Sequence, residues 1–278
     1  MLRGVAQAAH AKLPRRRFAR GVSDYWRIAR HFAARELAER FLGSFSGAAW
    51  ALFAPVLQLL VLMLVFGTIL KVRLPDADPR AFLPFLVAGL WPWVAFSEAL
   101  GRGMSAIVER SALISKVALP RSALVLAPVL ASFALHGIGF VAVLAAIRAL
   151  GYPVDLAGLP LALLYWPLLA AFAFGLSLFL ATIRVFVPDA AHVVPQLVTL
   201  WFYLTPIFYP LAIVPAALHG AVQANPATAY ASLFRHALTD ETLAIAPALA
   251  TATFAAALAL ALGAFVFKRA ARHFEDFL

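Results

Sequence analysis

The chain has 278 residues, 64% of them hydrophobic and only 13% charged, well under the roughly 25% charge of an ordinary soluble domain. Its formal charge of +10 is distributed as a topology signal rather than as a nucleic-acid-binding patch. There is no cysteine, which excludes disulfides, thiolate nucleophiles and Cys-ligated metals.

Residues 1–22 are a basic segment. Arg15, Arg16 and Arg17 read as a solvated run facing headgroups, and no apolar core of the kind a cleavable signal peptide needs precedes residue 40. Residues 23–47 follow as an amphipathic interface helix. Tyr25, Ile28, Ala29, Phe32, Ala33, Leu37 and Phe41 recur at helical spacing, while Arg27, Arg30, His31, Glu39 and Arg40 lie mainly off that stripe. Such a helix is expected to lie in the membrane interface with its arginines toward headgroups. The plainer alternative is a juxtamembrane linker.

Six long apolar runs come next, near 48–70, 82–107, 122–147, 159–183, 190–209 and 244–267. About 20 apolar residues cross a ~30 Å hydrocarbon core. Backbone polar groups cannot go unpaired in lipid, so these runs must be helices. No alternating ~10-residue segments support a β-barrel. The expected fold is therefore all-α and membrane-integral, with six transmembrane helices filling residues 48–278. Span 2 holds Glu98, a lone intramembrane acid and hence a functional candidate, although Arg102 stands at i+4 as a simple ion-pair partner. His136 in span 3 reads as a packed or hydrogen-bonded histidine, because no metal-type residue stands at i+4. After span 5, residues 205–243 are apolar but broken by Pro206, Pro210, Pro215, Gly220 and Pro226. Re-entrant helices covered by protein fit that pattern; a long extracytoplasmic loop is the alternative.

On this topology eighteen Lys and Arg lie on one side and five, Lys71, Arg73, Arg80, Arg148 and Arg235, on the other. The positive-inside rule then places both termini in the cytoplasm. No P-loop, H-E-x-x-H or nucleophile elbow occurs, so the chain is expected to bind no ATP or metal and to catalyse no reaction itself. An ion-coupled carrier would need more intramembrane titratable pairs than Glu98 supplies. A membrane glycosyltransferase would need an acidic site, and Asp76, Asp78, Asp240 and Glu241 stand in no strong motif. Aromatic residues are abundant, with 23 Phe. Trp201, Tyr203, Phe208 and Tyr209 can form an interfacial belt or offer faces to sugar rings.

Specific residues then match a family. Arg35, Glu36, Arg40, Gly47, Trp50 and Pro55 follow the pattern R-[DE]-L-x-x-R-[YF]…G-x-x-W…P. Leu113, Ile114, Lys116 and Pro120 fit L-I-x-K-V-x-[FL]-P. Arg184 and Asp189 are similar to an R-D turn, though separated here. Thr205 to Pro210, Val214-Pro215, Asn225-Pro226 and Arg235 complete the order. The chain resembles the membrane subunits of ABC-2 type exporters of lipid-linked O-antigen, teichoic acid or capsular polysaccharide. The resemblance implies a homodimer in the bacterial inner membrane. It implies two ATPase subunits that hold ATP and Mg, and a lipid-linked glycan as substrate. Periplasmic or outer-membrane export proteins are further partners it admits. It places the coupling helix at about 109–119, with Glu109, Arg110, Leu113, Ile114 and Lys116 toward the ATPase. It places gating helices at about 206–236, with Trp201, Tyr203, Phe208 and Tyr209 on the glycan path, and Arg35, Glu36 and Arg40 on the interface helix. Within the family, export of a small drug or lipid is the alternative.

Overall fold

The computed structural model describes residues 22–42, 47–74, 78–114, 119–239 and 245–277, and these are almost entirely helical. Helix α1 spans Val22–Leu42. Helix α2, Gly47–Leu62, continues through a π-helical stretch, Met63–Ile69. The first apolar run ends near Lys71, whose φ of 50° turns the chain. Helix α3, Phe82–Glu109, is followed by the short α4, Ser111–Ile114. Then come α5, Arg121–Ala149, α6, Leu159–Phe186, and α7, Ala190–Leu204. The pair α8, Ala216–Ala224, and α9, Pro226–Leu238, leads to α10, Ile245–Ala270, and the terminal turn α11, Phe274–Phe277.

Among the described residues, five helices are long and apolar enough to cross a membrane; they are built on α2, α3, α5, α6 and α10. The sixth run expected to span, 190–209, contains only the 15-residue α7, about 22 Å at 1.5 Å per residue. Pro206 accounts for the early stop. A residue before proline is driven out of the α region, and Thr205 is extended, with φ −102° and ψ 133°.

Helix α3 is the centre of the bundle, with nineteen of its residues buried. It packs against α5, α6 and α9. Helices α6 and α10 approach closely through small residues. A Cβ on Gly263 would fall 2.0 Å from the Gly175 carbonyl oxygen, so glycine there lets the two backbones meet, as close helix pairing without a hydrophobic drive requires. Helix α2 sits at the periphery, exposing Trp50, Phe53, Leu57, Leu60 and Leu64.

Helix α1 lies against α5. Its inward stripe is Ala29, Ala33 and Glu36, continued by Arg40, whose side chain is 6% exposed. That corrects the expectation that Arg40 turns away from the apolar face. Spacings of four, three and four put these residues on one side of the helix. The bundle receives the charged pair because it supplies partners for it. At the other terminus, Phe274 is buried, Glu275 pairs with Arg121, and Phe277 meets Phe186 edge-on at 4.8 Å. The C-terminal turn thus ties the start of α5 to the end of α6.

Candidate functional site

Two groups of side chains stand out, one at each half of α3. The first is a charged network. Glu98 receives Arg40 Nη1 at 2.7 Å and Arg102 Nε at 3.1 Å. Its other oxygen lies 2.7 Å from His136 Nε2. Ser132 donates to Glu98 at 3.1 Å and accepts from Arg40 at 3.0 Å. Arg102 also reaches Glu36 at 2.9 Å, and Glu36 binds Arg110. The i+4 pairing of Glu98 with Arg102 is present as expected, and His136 is hydrogen-bonded within the bundle. The contacts from α1 and α5 that complete the network could not be read from local spacing. Burial draws the Arg40 pKa down from its ordinary value, with Glu98 opposing, and a guanidinium remains charged through such a shift.

Beside this network opens a cleft of about 600 Å³, walled by α1 and by the α3–α4 junction. Phe32, Arg35, Glu36, Arg40, Glu109 and Leu113 are among its lining residues. It therefore brings together the interface-helix residues and much of the 109–119 segment. Arg35 is exposed and paired with Glu39 at 2.7 Å. Glu109 is exposed and Leu113 half-buried. Ile114 points the other way. It is 7% exposed and packs with Ile107, Val125, Val185, Phe267 and Phe274, anchoring the segment to its own bundle. Lys116 lies outside the described residues.

The second group is aromatic and surrounds α9. Asn225 caps that helix, accepting from Ala227 N at 3.0 Å, with Pro226 at the first helical position, where a missing N–H does no harm. The same amide oxygen accepts from Trp201 Nε1 at 2.8 Å, and its nitrogen donates to Thr205 Oγ1 at 2.9 Å. One Asn-Pro pair thus joins the end of α7 to the start of α9. Trp201 meets Trp93 and Phe96 edge-on at 5.7 and 5.6 Å. Tyr230 donates to the Ala252 carbonyl at 2.9 Å. Arg235, counted from sequence among outer-side charges, is 4% exposed. It donates to the Ile207 carbonyl at 2.7 Å, and its guanidinium lies 3.4 Å from the Phe85 ring centre. Gly89 leaves room for it, since a Cβ there would come within 2.9 Å of Arg235 Nη2.

The four aromatic residues expected on a glycan path therefore separate. Phe208 is 8% exposed and packs on Phe66, Phe202 and Tyr209. Trp201 commits its N–H to Asn225. Tyr203 is 59% exposed and Tyr209 half-buried, so these two keep faces available. Arg184 donates to the Pro188 carbonyl at 3.1 Å and closes the turn before α7.

Comparison with known proteins places these features in a wider group. The profile described as ABC-2 type transporter matches residues 29–239. An O-antigen export system permease protein, RfbA, of Myxococcus xanthus is 31% identical over 208 residues, 70% of this chain and 73% of the relative. A Klebsiella pneumoniae protein of the same description is 25% identical over 215 residues, 75% and 79% of the two chains. The polysialic acid transport protein KpsM of Escherichia coli is 25% identical over 205 residues, 73% and 78%.

Proposed function

The chain belongs to the ABC-2 type transporter family, and from that premise we propose that it is the permease of an ATP-driven exporter of a lipid-linked polysaccharide, O-antigen or capsular. The observation that carries this reading is likeness over most of the chain to permeases described by O-antigen and polysialic acid transport. Two copies surround the path in a bacterial inner membrane. Two ATPase subunits, which hold ATP and Mg, dock at the arginine-rich end. Both termini face the cytoplasm, a reading supported by the eighteen-to-five split of basic residues.

The ATPase meets the cleft edge at Glu109 and Leu113, while Ile114 holds the segment to the bundle from inside. Thrust on residues 109–114 enters α3 directly. Glu36, bridged to Arg102 and Arg110, makes α1 move with α3. At the far end α7 and the non-helical residues 205–210 complete a sixth crossing, and α9 is the re-entrant gate. Its start, Asn225, sits against Trp201 and Thr205, whereas Leu238 near its end accepts from Asp155 N at 3.0 Å in the α5–α6 loop. Ten of its thirteen residues are buried, as a helix covered by protein requires.

Deleting the gene from its native host and measuring surface polysaccharide tests the reading. Loss of the polymer, restored by this chain, is the expected result. Unchanged surface polymer in the deletion strain would refute it.

A further inference from the structure

The end of the bundle remote from α1 distributes its cations unevenly. Lys71, Arg73, Arg80 and Arg148 are all exposed there. They stand at the exit from the first apolar run, the entry to α3 and the last turn of α5. These elements meet: Arg80 donates to the Gly151 carbonyl at 3.4 Å, and Phe82, at the start of α3, packs against Gly67. Along α7, α8, α9 and the first turns of α10 the described residues expose no lysine or arginine, since Arg235 is buried.

Of the four exposed cations, Arg80 pairs with Asp78 at 3.4 Å. Lys71, Arg73 and Arg148 have no carboxylate partner among the described residues. Asp155, also at this end, accepts from Ala157 N at 2.8 Å and caps the turn before α6. Asp76 lies outside the described residues. The backbone presents two of the unpaired cations deliberately. Lys71 holds φ 50°, a conformation in which helices ordinarily stop on glycine, so a side chain is kept here against backbone preference. Val72 and Leu74 are half-buried and pack on the core, and alternation along this extended stretch sends Arg73 outward.

Bare apolar side chains adjoin the same cations. Ile69 and Leu70, 65% and 59% exposed, precede Lys71, and Leu150, 74% exposed, follows Arg148 by two residues. A cation beside exposed leucine at the end of a membrane helix matches a phospholipid, whose phosphate meets the charge while its chains cover the leucine. An acidic protein would answer the cations and leave the leucines bare. Unpaired cations favour a headgroup with net negative charge over a zwitterionic one.

We propose that Lys71, Arg73 and Arg148 bind the headgroup of an anionic phospholipid whose acyl chains pack on Leu70 and Leu150. The contact involves no exported polymer and stands apart from the export reading.

The cysteine-free chain allows a local test. Full-length Leu150→Cys protein labelled with bimane is reconstituted in phosphatidylcholine vesicles. The vesicles contain a small fraction of doxyl-chain phosphatidylglycerol or, in parallel, doxyl-chain phosphatidylcholine. Quenching reports which lipid sits beside the label. Phosphatidylglycerol should be enriched there at least about fivefold, the scale of one cation at a headgroup. Leu249→Cys on α10, where Leu249 is 40% exposed, should show less than about twofold preference, because no exposed cation adjoins it in the chain. Equal quenching by the two lipids at Leu150→Cys would overturn the proposal and leave the cations to an acidic protein. Equal preference at both positions would also overturn it, since the protein's overall charge would then suffice. Adding Lys71→Gly, Arg73→Gln and Arg148→Gln should abolish the preference at Leu150→Cys. Glycine suits the positive φ at residue 71, so that change spares the fold; a preference that survives all three would refute the assignment.

Discussion

Helix α3 meets charged side chains near both of its ends, and its contacts with them differ. Toward its C-terminus, Glu98, Arg102 and Arg110 are matched by Glu36 and Arg40 of α1 and by Ser132 and His136 of α5. Toward its N-terminus, Arg235 of α9 rests on the Phe85 ring and donates to the carbonyls of Phe85 and Ile207. The first arrangement joins three helices through formal charges that can be exchanged one for another. Among the contacts of the second are a ring and two backbone carbonyls, groups that are fixed in place. On the function proposed above, exchangeable pairs suit a region that transmits displacement, and ring and carbonyl contacts suit one that holds α9 in register.

The sharpest way to break this contrast is at Glu98. Glu98→Ala leaves Arg40 and His136 without their carboxylate, and removing one member of a buried pair costs about 3 kcal/mol or more. Thermal unfolding of the purified protein in detergent should show it, with Glu98→Gln milder because hydrogen bonds persist. A stable Glu98→Ala protein would show that water rescues the cluster. The same destabilisation is expected of Ile114→Asp, which puts a carboxylate among Val125, Phe267 and Phe274. Leu113→Asp, on the cleft side, should keep the protein inserted and lower export per molecule. Equal insertion and equal export for the two variants would remove the distinction between inner anchor and docking edge.

At the aromatic end the expected losses are smaller. Arg235→Met forfeits the ring contact and the carbonyl bonds but removes a buried charge, for a net of about 2 kcal/mol. If the loss matched that of Glu98→Ala, the two regions would not differ in kind. Tyr230→Phe, which removes the bond to Ala252, should cost about 1 kcal/mol. Tyr203→Ala should leave stability unchanged and act on export alone, whereas Trp201→Ala, which breaks the link to Asn225, should lower the amount of inserted protein. Quantifying surface polymer against membrane protein separates the two variants.

Much of this architecture is local and could be read along the chain. Long apolar runs can satisfy their backbone in lipid only as helices, so α2, α3, α5, α6 and α10 follow from composition. Asn225-Pro226 starts α9 by its own capping chemistry, although along the chain Pro226 stood only as a break. Pro206 contains the reason that α7 is short, although apolar character alone carried the expected span on to residue 209. What chain order could not show is who meets whom. Glu36 and Arg110, like Glu98 and His136, are separated by tens of residues, and their pairing exists only after α1, α3 and α5 have packed. The inward direction of Ile114 depends on Phe267 and Phe274, more than 150 residues away. The inward face of α1 includes Glu36 and Arg40 because a buried charge is tolerated where its partners are supplied. Helical periodicity determined which residues of this protein share a face; the neighbours assembled by the tertiary fold decided which face turned inward.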